Sequence, residues 1–124
     1  MKNKFSKSWK SSKKVSKQRK YRYNAPVSIA RVLMSSNLSK ELRKSYKKRS
    51  LPIKKGDNVR IMRGEFKGKK GKILSVERFN KKVYIEGMQR TKKDGTKVNV
   101  PFEPSNIQII ELNMDDKKRI GERK

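Results

Sequence analysis

Between Ile53 and Glu86 the chain reads IKKGDNVRIMRGEFKGKKGKILSVERFNKKVYIE, and its apolar residues recur at every second position. Val59 and Ile61 alternate with Asn58, Arg60 and Met62; Ile73, Leu74 and Val76 mark a second segment; Val83 and Ile85 flank Tyr84 in a third. Successive side chains of a strand point to opposite faces, so this alternation predicts strands with one buried face. Phe79-Asn80-Lys81 is the tight connection between the second and third, and Ile107, Ile109 and Ile110 mark a further strand. Thr91 to Lys97, TKKDGTK, is a hairpin signal, because Asp94-Gly95 suits the positive φ values of a two-residue turn. Its polar flanks predict a hairpin at about 88–100 that projects from the fold. Four or five short strands within residues 51–112 predict a mainly β domain, a small barrel that removes its own edges.

The rest of the composition limits what surrounds that domain. Hydrophobic residues make up 31% of the chain and charged ones 39%, enough for one modest core. The 37 Lys and Arg against 11 Asp and Glu leave a formal charge of +26, which repels itself unless a polyanion surrounds it. Nucleic acid, an anionic membrane surface and acidic protein tails all qualify. No apolar stretch reaches the length of a membrane span, and MKNKFSKSWKSSKK lacks the apolar core of a signal peptide, so a soluble, cytoplasmic protein is expected. With neither cysteine nor histidine there is no disulfide, no thiolate nucleophile and no Cys/His zinc site. No metal or cofactor is expected.

Charge is distributed unevenly: 17 Lys and Arg against one acid over residues 1–50, 15 against seven over 51–112, and five against three over 113–124. Residues 1–23 show no helical or strand period, and Phe5, Trp9, Val15, Tyr21 and Tyr23 are too sparse for a core. This segment is expected to be a basic arm, disordered when free, that orders along phosphates through Lys13, Lys14, Lys17, Arg19, Lys20 and Arg22, with aromatics available to stack on bases. Residues 24–50 predict a helical extension of two short helices. Pro26 suits a first helical turn, Ile29 and Leu33 share a face, SSN at 35–37 breaks the pattern, and Ser39 caps a second helix with Leu38, Leu42 and Tyr46 on one face. Glu41 and the cations Lys44, Lys47, Lys48 and Arg49 complement the dipole at its two ends. Residues 113–124 form a short basic tail in which Asp115 and Asp116 start a helical turn and Lys117 to Arg123 follow.

The glycines at 64, 68 and 71 fall in RGEFKGKKGKI. Gly64 and Gly68 bracket Glu65-Phe66-Lys67 as a tight excursion between strands, and Gly71 opens the next strand where close packing is expected. Arg63, Lys67, Lys69 and Lys70 would surround exposed backbone N–H groups on one rim, a phosphate cradle without catalytic chemistry. Neither a P-loop ending nor a dinucleotide fingerprint is present.

Alternation followed by G-x-F-x-G-x-x-G-x-[IV] resembles the KOW motif, an RNA- and protein-binding element of SH3-like barrels in ribosomal and transcription-elongation proteins. The flanking stretches, 23–73 and YIEGMQRTKKDGTKVNVPFEPSNIQIIELN, resemble the archaeal and eukaryotic branch of large-subunit ribosomal protein twenty-four, called twenty-six in the older eukaryotic naming. That resemblance covers about residues 20–123. It implies an SH3-like barrel that binds the 5′ region of large-subunit rRNA early in assembly, near the exit of the peptide tunnel. Neighbouring ribosomal proteins and nascent-chain factors would be further partners. It places the motif on Gly64, Gly68 and Gly71 with Arg63, Lys67, Lys69, Lys70 and Lys72, and places Arg31, Lys40, Arg43 and Lys44 on a helical extension along RNA, where Lys47 and Arg49 follow. Two other readings remain: a KOW-type elongation factor, which would need a polymerase-binding domain, and a DNA-compacting protein, for which no minor-groove wedge is evident. An enzyme is not expected, since adjacent Asp115 and Asp116 point to different sides of any regular element.

Overall fold

Buried side chains gather where the alternation lies. Val59, Ile61, Ile73, Val83, Ile85, Ile107 and Ile109 are each no more than 2% exposed in a computed structural model that describes residues 5, 6, 8, 11–116 and 118–120. They sit on strands β3 (Asn58–Ile61), β4 (Lys70–Glu77), β5 (Lys82–Thr91) and β7 (Ile107–Glu111), and β6 (Lys97–Phe102) completes the group. These five strands are hydrogen-bonded in the order β7-β3-β4-β5-β6, each antiparallel to its neighbour. A 3-10 turn, Pro104–Asn106, returns the chain from β6 to β7. The mainly β, SH3-like expectation is met.

The sheet does not close into a barrel, however, and it contains seven strands. β1 (Ser35–Leu38) pairs in parallel with β7 and antiparallel with β2 (Ser50–Pro52), so the full order is β2-β1-β7-β3-β4-β5-β6. The edges at β2 and β6 remain. Pro101 lacks an N–H, which suits β6 to an edge position.

The extension at 24–50 is accordingly less helical than its punctuation predicts. Helices α2 (Val27–Leu33) and α3 (Lys40–Tyr46) form, and the Ser39 hydroxyl accepts from Leu42 N at 3.4 Å, as a cap should. SSN, expected only to break a helix, is strand β1, and Leu38 is a fully buried strand residue rather than a helix-face residue. Leu33 is 40% exposed; Ala30 and Met34 face the core instead, because two i,i+4 pairs one residue apart both satisfy a helical period.

The hairpin projects as expected, with Gln89 to Lys97 all exposed. Its turn differs: Gly95 alone takes positive φ, Gly95 N donates to Lys92 O at 3.0 Å, and Lys92 N donates to Thr96 O at 2.8 Å. This is a three-residue loop with a glycine bulge, in which Asp94 keeps negative φ and its carboxylate accepts from Thr96 N at 2.9 Å. That hydrogen bond holds the Asp94 carboxyl below the usual aspartate range.

At the C-terminus no helix forms among the described residues; of the expected segment, Lys117 and residues 121–124 lie outside them. Arg119 instead turns inward. Its guanidinium forms a buried ion pair with Asp57 and donates to Asn113 O at 3.0 Å and Pro52 O at 3.1 Å. Asp57 also accepts from Lys54 N at 3.1 Å and Asn113 N at 2.8 Å. One carboxylate thus ties the turn before β3 to the segment after β7, and satisfied lone pairs make its burial tolerable.

Candidate nucleic-acid interface

Residues 15–23, part of the arm expected to have no helical or strand period, lie in helix α1 (Val15–Asn24). Helical period in sequence is visible as an apolar stripe, and this helix has none: it buries no residue, and Val15 is 69% exposed. Lys, Arg and Gln are good helix formers, which suffices locally, but there is no side-chain cap and no acid in the first turn. Lys17, Arg19, Lys20 and Arg22 all point to solvent, and Lys13 and Lys14 lead into the helix. Two contacts fix its C-terminal end on the β4–β5 turn: Tyr23 meets Phe79 edge to face at 5.5 Å, and Lys81 Nζ donates to Arg22 O at 2.9 Å. Burial of the Lys81 ammonium, and then the neighbouring Arg22 charge, lower the lysine pKa from its ordinary value. Phe5 packs on Tyr21 at 4.8 Å; Trp9, the other aromatic of the arm, lies outside the described residues.

The glycine loop joins β3 to β4. Gly64 and Gly68 have φ of +93° and +86°, values closed to most L-residues, and no atom crowds either position. Phe66 is only 9% exposed and packs on Phe102 at 5.8 Å, anchoring the loop, while Lys69 Nζ lies 4.9 Å above the Phe66 ring. The expected backbone cradle is not formed around Gly68. Lys67 N, Gly68 N and Lys69 N donate to Gly64 O, Ile61 O and Phe66 O at 3.2, 2.8 and 3.0 Å, so these groups are already satisfied within the loop. What the loop offers an anion is its exposed side chains, Arg63, Lys67, Lys69, Lys70 and Lys72. Gly71 has a different task. A Cβ there would come within 2.6 Å of Ile85 Cγ2 and 3.0 Å of Glu86 O, so its hydrogen lets β4 lie tightly on β5.

On the extension, Arg31, Lys40, Lys44, Lys47 and Arg49 are exposed, and Arg43 is half-buried. Lys47 takes a left-handed φ of 54° as the C-cap of α3. The fold also gathers cations that the sequence reading passed over. Arg31 shares a cleft with Lys54, Lys55 and Arg78, floored by Leu74 and Val76. Arg19 and Arg22 share another with Lys81 and Phe79. The overlooked residues sit in turns next to strands, where they read as punctuation. An aromatic at the tip of a tight turn, as at Phe79, was the available signal.

Among the described residues, no group of His, Cys, Asp or Glu is arranged to hold a metal, and no helix is long and apolar enough to cross a membrane. The shielded carboxylate of Asp57 is fully engaged with Arg119. The surface therefore displays exposed cations on three elements, helix, extension and loop, around a small β domain.

Residues 12–124 match the family described as ribosomal proteins L26 in eukaryotes and L24 in archaea. The large ribosomal subunit protein uL24 of Korarchaeum cryptofilum (strain OPF8) is 46% identical over 115 residues, covering 91% of this chain and 88% of that protein. A glycine loop on an SH3-like sheet, dense surface cation and a match over nearly the whole length agree, and the chain belongs to this family of eukaryotic L26 and archaeal L24 ribosomal proteins.

Proposed function

We propose that the protein binds large-subunit rRNA, in its 5′ region and early in assembly, as a non-catalytic structural component near the exit of the peptide tunnel. Family membership gives the ribosomal role and the cytoplasmic location. The observation that carries the RNA reading is the imbalance of charge: residues 1–50 hold 17 cations and one acid, while most of the core is built from strands in residues 51–112. In this reading the sheet fixes direction, the arm residues Lys13 to Arg22 and the extension residues Arg31 to Arg49 lie along RNA, and Arg63 to Lys72 clamp phosphates. Neutralising ten phosphates would make log affinity fall with log salt at a slope of about −7 or steeper. Selectivity then comes from the shape of the folded RNA, since lysines on phosphates read no sequence. The projecting hairpin leaves Arg90, Lys92, Lys93 and Lys97 exposed.

Crosslinking in growing cells followed by sequencing of the attached RNA tests this. Reads concentrated in the 5′ part of large-subunit rRNA are the expected result. Reads spread over nascent messages would favour an elongation role, and a predominance of DNA a compacting one; either would overturn the proposal.

A further inference from the structure

The β4–β5 turn carries an aromatic that the fold leaves mostly in water. Phe79 is 67% exposed at the tip of a tight turn, and Tyr23 at the end of α1 is 68% exposed, although the two rings touch each other. Leaving both rings in water forgoes the burial that large apolar side chains normally obtain. Around them stand Arg19, Arg22 and Lys81, and the Lys81 ammonium is crowded by the Arg22 charge. The carboxylate that lines the same cleft, Glu103, is paired with Lys82 at 3.1 Å. The cleft therefore combines open π faces with uncompensated cations.

Resting on the RNA reading above, we propose that this cleft takes an unpaired nucleobase, stacked on the open face of Phe79 with the Tyr23 ring inclined at 70° beside it, and the adjoining phosphate held by Arg19, Arg22 and Lys81. Duplex RNA does not explain the aromatics. Bases inside an A-form helix are already stacked, and its accessible contacts are phosphates and 2′-hydroxyls, for which lysines suffice. An extruded base offers a free π face, and its phosphate relieves the repulsion between Lys81 and Arg22. The site also gives α1 a reason to dock at this turn, since docking is what brings Tyr23 and two arginines to Phe79.

The test uses the full chain and two RNA oligonucleotides of equal length carrying 2-aminopurine, one with the probe in an unpaired bulge, the other with it fully paired. The expected result is quenching of the bulged probe on binding. Phe79→Leu, which keeps apolar packing against Tyr23 but has no π face, is expected to abolish that quenching and to weaken binding of the bulged RNA by about tenfold. Affinity for the paired RNA and the salt slope should stay unchanged, and Phe79→Trp should retain the quenching. Equal losses on both RNAs, or undiminished quenching by Phe79→Leu, would overturn the stacking site. Tight binding of both RNAs by the unaltered protein without quenching would overturn it too while leaving RNA binding intact; binding to neither would overturn the RNA reading itself.

Discussion

Helix α1 and strand β5 are each ten residues long, and they keep their shapes for opposite reasons. β5 buries Val83, Ile85 and Met88 and is laddered on both sides by β4 and β6. α1 buries nothing and is held through Arg22 and Tyr23 at one end and Phe5 on Tyr21. A helix of that length without a packed face is marginal in water. Where this chain concentrates net positive charge it has little folding free energy of its own, and where it has a core its cations are better balanced by acids. A polyanion bound to the first region would therefore complete its fold without disturbing the second.

The largest effect should come from the buried lock of the β domain. Arg119→Ala leaves the Asp57 carboxylate unpaired in the interior and is expected to destabilise the free protein by about 3–5 kcal/mol in urea unfolding. A loss no greater than that of an exposed ion pair would mean that the tail beyond β7 is not integral to the domain. Next, Gly71→Ala forces a methyl onto Ile85 and the Glu86 carbonyl, where the backbone neighbour cannot rotate away, and about 1–3 kcal/mol should be lost.

The converse experiment strikes α1. Gln18→Pro removes the N–H that donates to Lys14 O and leaves every charge in place. Global unfolding of the free protein should shift by less than about 0.5 kcal/mol. Affinity for rRNA, and the gain in far-UV helix signal on adding RNA, should both fall; an unchanged affinity would show that the arm binds as an extended chain. The smallest effect is electrostatic. Asp116 is held below the ordinary aspartate value of 3.8, first by its hydrogen bond from Lys54. Its contribution to stability is thus present above pH 3.8 and is lost as pH falls through the lower, folded-state value. Asp116→Asn should flatten acid unfolding slightly and leave neutral-pH stability almost unaltered, because the pair is exposed and screened.

Strands were legible wherever alternation and burial coincide, as at Val59 and Ile61 or Val83 and Ile85. The Ser39 cap and the role of Gly71 were legible too, because hydroxyl-to-amide capping and close strand contact are local demands. Three features were not. α1 has the composition of a helix without its stripe; β1 begins with Ser35, Ser36 and Asn37, whose strand conformation is imposed by β2 and β7; and Arg119 resembles any other tail cation until the chain folds it onto Asp57. Each depends on a partner distant in sequence. The glycine loop lies between these cases: its positive φ values follow from the glycines, whereas the internal use of Lys67, Gly68 and Lys69 N–H groups depends on how Phe66 seats against Phe102.

The parallel pairing of β1 with β7 has a consequence for synthesis. Leu38 is registered with Ile109, near the other end of the chain. At translation rates of roughly 5–20 residues per second, the interval before β7 exists is on the order of several seconds. Throughout that time β1 lacks one of its two ladder partners, and the extension leaves the translating ribosome unanchored to the sheet. Residues 1–50, which hold 17 cations and one acid, are thus made before the strand that completes their anchorage to the sheet.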